Sequence, residues 1–155
     1  MFNKYSTKNL IKSIKARIRL QLINQEVRLE IGGTLLNLAQ KEVEELKNKI
    51  KENQKEIEKE KKKTPGEWEK ITKLNAENIA LGYTGQKDKS GQEIYEEKSQ
   101  IGRKNSMIEI YQQNIQKVVG ERESLKLEYR AVGKLERKGA FKKIESELNQ
   151  GRKNK

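Results

Sequence analysis

Between Leu36 and Ile57 the residues Leu36, Ala39, Val43, Leu46, Ile50 and Ile57 recur at alternating steps of three and four, with Asn53 the one polar residue in the series. That rhythm draws a narrow apolar seam down one side of an α-helix and leaves Glu42, Glu44, Glu45, Lys47, Lys49 and Lys51 facing solvent. A helix cannot bury such a seam within itself, so the chain must provide a partner. Ile94, Ile101, Ile108, Tyr111, Ile115, Val118, Leu125, Tyr129 and Val132 repeat the rhythm, with Arg122 intruding. The spacing predicts an all-α protein: a long antiparallel helical, coiled-coil hairpin with a turn-rich tip and a short C-terminal helix.

Composition agrees with paired helices. The 155 residues are one domain's worth of chain, and charged residues (37%) outnumber hydrophobic ones (32%), too few for a compact globule. The missing residue types narrow the chemistry. There is no Cys and no His, and Asp occurs once, at Asp88. Thiol nucleophiles, thiolate metal sites and the usual general base are therefore absent, and no catalytic, cofactor or metal site is expected. No apolar run approaches the roughly 20 residues of a membrane span.

Ser6 or Thr7 can cap a basic amphipathic helix that starts near Lys8 and runs through Leu10, Ile14, Ile18, Leu22, Val27 and Leu29 to Gly32-Gly33. Residues 1–25 have the composition of a mitochondrial presequence, but are expected to belong to the working protein. Adjacent glycines cost about 1 kcal/mol each inside a helix and predict a bend, or a close approach of two backbones, at the end of segment 1–33. The first arm, 34–81, contains Thr64-Pro65-Gly66-Glu67, a capping-box signal with proline at the first helical position. The seam's frame continues to Ile71, Leu74, Asn78 and Leu81, which favours a kink at Pro65 with direction kept. The rival is a sharp turn that lays 67–81 back as a third helix. Residues 82–91, GYTGQKDKSG, form the tip loop, and Ser90 with Glu93 offers a second capping box before the second arm, 92–138. Arg137-Lys138-Gly139 is a helix C-terminal signal, and 139–155 is a basic helix and tail with Ala140, Phe141, Ile144 and Leu148 on its apolar side.

Within the tip, Tyr83-Thr84-Gly85, Asp88-Lys89, Gly91 and Glu93-Ile94-Tyr95-Glu96 resemble a short segment of the YopX family of phage-encoded proteins. The chain departs from that family at Glu97-Lys98, where Gly-Asp is expected. The resemblance implies a phage or mobile-element origin and carries no activity with it.

Closing the hairpin at 82–91 sets Ile57 beside Ile115, Val43 beside Tyr129, and Gly32-Gly33 level with Gly139-Ala140. The arms would make a rod on the order of 90–110 Å long at the helical rise per residue. Residues 1–25 carry six positive charges and no negative ones, and residues 131–155 carry eight and three. Antiparallel pairing gathers both segments at one end. Clustered cations attract phosphate backbones by releasing condensed counterions, which makes Lys8, Lys12, Lys15, Arg17, Arg19, Arg137, Lys138, Lys142, Lys143, Arg152 and Lys153 the candidate nucleic-acid-binding residues. Lysines outnumber arginines here, which argues against base-specific reading. Trp68, Tyr83 and Tyr95 are candidates for docking a protein partner, or else close the end of the seam.

The expected function is therefore a non-enzymatic structural or scaffold component of a larger phage or nucleoprotein assembly, cytoplasmic or inside a virus particle. Its partners would be nucleic acid or another polyanion and other protein subunits, with no small-molecule substrate. The alternative is a coiled-coil interaction module whose charge serves solubility. A peripheral binder of anionic membranes ranks below both.

Overall fold

The computed structural model describes residues 6–63 and 65–153. The reading that rests on Thr64 lies outside the described residues, as do residues 1–5 of the presequence-like segment and the side chains of Phe141, Arg152 and Lys153. In chain order the elements are α1 (Thr7–Lys62), α2 (Trp68–Leu81), β1 (Tyr83–Lys87), β2 (Glu93–Tyr95), α3 (Gln100–Arg137) and α4 (Ala140–Lys153). The fold is all-α: α1 packs against α3 in a hairpin, and the two short strands are the only sheet among the described residues. The chain divides into two compact units, Met1–Ile31 with Ile115–Lys155, and Gly32–Asn114. Helix α1 continues through Gly32-Gly33 without interruption, and the division of units falls at that pair. No helix among the described residues is long and apolar enough to cross a membrane.

In the second unit the seam is buried as expected, with Ala39, Val43, Ile50, Asn53 and Ile57 all covered. What covers it differs from the expected partner. Lys59, Lys61 and Lys62 occupy the last turn of α1, where positive charge complements the exposed carbonyls. The chain then reverses. Lys49 pairs with Glu77 at 2.9 Å, the Asn53 side-chain amide donates to Asn78 Oδ1 at 2.9 Å, and Lys70 reaches Glu56 and Glu60 at 3.6 and 3.3 Å. These pairs make α2 antiparallel to α1, so the kink at Pro65 is corrected to a sharp turn and the 34–81 arm to two helices. The apolar frame is shared across Pro65, but a repeat specifies a face and carries no direction. Glu67 sits at the N-cap of α2, where its own side chain makes no capping bond.

The tip is a β-ribbon and not a loop. Tyr83 pairs with Tyr95 and Lys87 with Glu93, and the Thr84 hydroxyl donates to the Ile94 carbonyl at 2.5 Å. The Asp88 carboxylate accepts from the amides of Ser90 and Gln92 at 2.9 and 3.0 Å, which closes the turn and replaces the expected Ser90–Glu93 cap. The chain returns to where it left, since the Glu96 amide donates to the Gly82 carbonyl at 2.9 Å. Ser99 then caps α3, its hydroxyl accepting from the Gly102 amide at 3.0 Å. The second arm thus starts at Gln100 and not at residue 92. Val43, Ile50, Leu81 and Ile101 form the core of this unit, with Leu46, Tyr83, Tyr95 and Ile108 against it. Because the reversal is at Pro65, Glu42 pairs with Lys104 and not near Ala131, as the expected register required.

In the first unit Ile11, Ile18 and Val132 form the core, and Ile14, Leu22, Leu125 and Tyr129 pack on it. The side-chain amide of Gln25 donates to Glu121 at 2.9 Å, and Arg122 pairs with Glu26, which accounts for the arginine that interrupts the second series. Helix α3 ends as its sequence predicts: Gly139 takes a φ of +74°, and its amide donates to the Glu136 carbonyl at 3.1 Å. Gly139 lies by the first turns of α1, between the Lys15–Glu136 and Thr7–Glu145 contacts, and not by the glycine pair. Ile144 and Leu148 of α4 are 45% and 40% exposed, and among the described residues Ile11 and Ile18 pack with Val132, Leu125 and Tyr129 of α3.

Candidate nucleic-acid interface

The division of the chain is also a division of charge. The first unit holds nineteen basic and eight acidic residues, the second sixteen and fifteen. Eleven of the chain's twelve net positive charges thus belong to the unit built from the two ends of the chain.

Lys8, Lys12, Lys15 and Arg19 follow one another at steps of four, three and four, which places them on one face of α1. Their face is next to the buried one, so they rise along the edge where α1 meets its neighbours. They line a groove of about 520 Å³ together with Thr7, Ile11, Glu136 and Lys142. Lys142 enters from α4 and Glu136 from the end of α3. Lys15 is bridged to Glu136 at 3.1 Å, whereas Lys8 and Lys12 have no ion-pair partner among the described residues. Arg19 donates to the Tyr129 hydroxyl at 3.0 Å, and the Lys15 and Arg19 cations lie 5.7 and 5.8 Å from the centre of that ring. The same hydrogen bond holds the Tyr129 phenol below its ordinary acidity range. Tyr129 therefore fixes two cations of the ladder in place, a role that its position in the apolar series concealed.

The carboxylate of Glu145, on α4, accepts hydrogen bonds from the Thr7 amide at 2.7 Å and from the Thr7 hydroxyl. These donors, and Lys142 nearby, keep Glu145 ionised below the usual carboxylate range. Neither Thr7, Glu136 nor Glu145 was marked by charge counting, which sees the net excess and not the acids embedded in it.

The remaining candidates share the unit but not the groove. Arg17 lies on another side of α1, in a recess with Ile14, Ile18, Glu128 and Leu135. Arg137 ends α3, Lys138 lies in the turn before Gly139, and Lys143 is exposed on α4. Arg152 and Lys153 close α4. Of the docking candidates, Tyr83 and Tyr95 are half-buried against the core of the second unit, the place where the seam ends. Trp68 is at the opposite end of α2, 69% exposed, so the three aromatics do not form one cluster.

Neither a curated protein nor a solved structure matches the chain. The family model described as YopX protein matches residues 39–149, a span that takes in α2, the ribbon, α3 and the groove wall carrying Glu136 and Lys142, but not the wall carrying Lys8 to Arg19. Since that match covers well over half of the 155 residues, the chain belongs to the YopX family.

Proposed function

We propose that this protein is a non-enzymatic component of a nucleoprotein assembly whose cationic unit binds nucleic acid through the phosphate backbone without reading sequence. The observation that carries the reading is the groove: Lys8, Lys12, Lys15, Arg19 and Lys142 converge on it from two helices, in a unit that holds nearly all the net charge. A ladder of flexible ammonium groups suits a repeating anion and offers little of the planar, bidentate geometry that discriminates bases. Membership of the YopX family, with the phage origin that its tip segment implies, supports placing the assembly in a phage context.

Titrating a labelled duplex with the full chain at two salt concentrations tests the reading. Binding is expected at low salt and should weaken by about 10³-fold or more between 50 and 200 mM if some six phosphates are contacted. Binding that ignores salt, or none at low salt, overturns it.

A second reading rests on a separate observation. Leu20, Ile23, Val27 and Ile31 are 69%, 60%, 48% and 55% exposed, and their steps of three, four and four make a second apolar stripe on α1, away from its buried side. A second copy of the chain packing there would make the protein a coiled-coil interaction module. Two strongly cationic units repel, so self-association would strengthen as salt rises, the opposite sign to nucleic-acid binding. Sedimentation at the same two salt concentrations separates the two.

A further inference from the structure

We infer that α4 is an electrostatic latch on the basic groove, held shut by the Glu145 carboxylate and opened when phosphates of a bound polyanion take its place. This rests on the nucleic-acid reading of the groove and adds a regulated entry to it. Three observations carry the inference. First, the contact that ties α4 to the start of α1 is polar: Glu145 accepts from the amide and hydroxyl of Thr7, the residue that opens the groove. An ionised acceptor on two donors is an anion position, and a phosphate oxygen satisfies the same donors. Second, Ile144 and Leu148 on the apolar side of α4 keep 45% and 40% of their surface exposed, so their release from α1 would uncover little additional apolar area. Third, α4 is joined to α3 through Gly139, whose φ of +74° and empty surroundings make the junction a place where the backbone can turn without collision. Among the described residues, the acids and cations that line the groove beside Thr7 are Glu136 on α3, Lys142 on α4, and Lys8, Lys12, Lys15 and Arg19 on α1. An incoming phosphate is attracted by these cations and competes with the Glu145 carboxylate for the Thr7 donors and with Glu136 for Lys15.

The chain has no cysteine, so spin labels can be placed at will. Labels at Asn9→Cys and Asn149→Cys report the separation of α1 and α4 in the full-length protein. A narrow distance distribution is expected for the free protein, and a broad one either with a 20-base-pair duplex at low salt or in the Glu145→Gln variant alone. Glu145→Gln should also bind the duplex about threefold more tightly than Glu147→Gln, which removes the same charge from α4 without touching the latch. Equal affinities for the two variants, with an unchanged distance distribution on binding, overturn the latch while leaving duplex binding intact. If no variant binds the duplex, the nucleic-acid reading has failed. The latch contact is then judged by the free Glu145→Gln distribution: broadening supports the contact, and a narrow distribution overturns it as well.

Discussion

The side-chain amide of Asn53 is buried in the middle of an otherwise apolar seam and finds a partner in Asn78. Amide pairs of this kind cost stability relative to leucine but allow only one alignment of two helices, because any slip leaves both groups dry and unpaired. Asn53→Ala strands Asn78 and is expected to lower stability to urea by about 1–3 kcal/mol. Replacing both residues with leucine should recover most of that loss, and a double-mutant cycle measures the coupling. Glu60 is the charged residue most deeply enclosed among those described in this unit, its side chain only 1% exposed between Lys63 at 2.8 Å and Lys70 at 3.3 Å. The hydrogen bond from Lys63, with that from Lys70, holds its carboxyl below the ordinary value of 4.5. A carboxyl with a depressed folded-state pKa stabilises the fold above its unfolded value, and that contribution is lost as pH falls through the folded one. The melting temperature should therefore drop below about pH 4.5 in the parent protein, and Glu60→Gln should start lower and show a shallower acid limb.

At the scale of elements, the ribbon is an excursion of the chain between α2 and α3, and its closure depends on close backbone packing. A Cβ on Gly102 would collide with the Glu96 carbonyl oxygen and sit 2.6 Å from that of Glu97, so the start of α3 has room only for glycine. Gly102→Ala is expected to cost about 1–3 kcal/mol through overpacking, although alanine is the better helix former. Faster amide exchange confined to 82–102 would locate the damage. The helix end marked by Gly139 was legible in the sequence because local chemistry determines it. The ribbon was only half legible. Gly82, Gly85 and Gly91 announced turns, but Glu93-Ile94-Tyr95 kept the helical rhythm of α3, and three residues are too few for a period of two to show. The reversal at Pro65 was hidden for a different reason. Residues 71–81 have to present an apolar face whether α2 continues along α1 or turns back on it, so both folds write the same pattern.

For the whole molecule, the property that sequence alone conveyed best was the meeting of the two cationic ends, since any antiparallel pairing of the seams brings them into one unit whatever its register. The groove within that unit was not legible, because its second wall depends on where α4 leaves Gly139. Whether the groove or total charge governs polyanion binding can be decided by moving charge between units. Lys8→Glu, Lys12→Glu and Lys142→Glu together change the net charge as much as Lys51→Glu, Lys55→Glu and Lys59→Glu, all on the part of α1 in the second unit. If the fixed ladder is the binding surface, the first triple variant should weaken duplex binding by at least about a hundredfold at 50 mM salt and flatten the salt slope, as the loss of about three phosphate contacts requires. The second should stay close to the parent, because charges farther away than a Debye length, roughly 14 Å at this salt concentration, are screened from the groove. Equal losses in both variants would mean that net charge alone draws the polyanion, and that the convergence of Lys8, Lys12, Lys15, Arg19 and Lys142 has no special part in holding it.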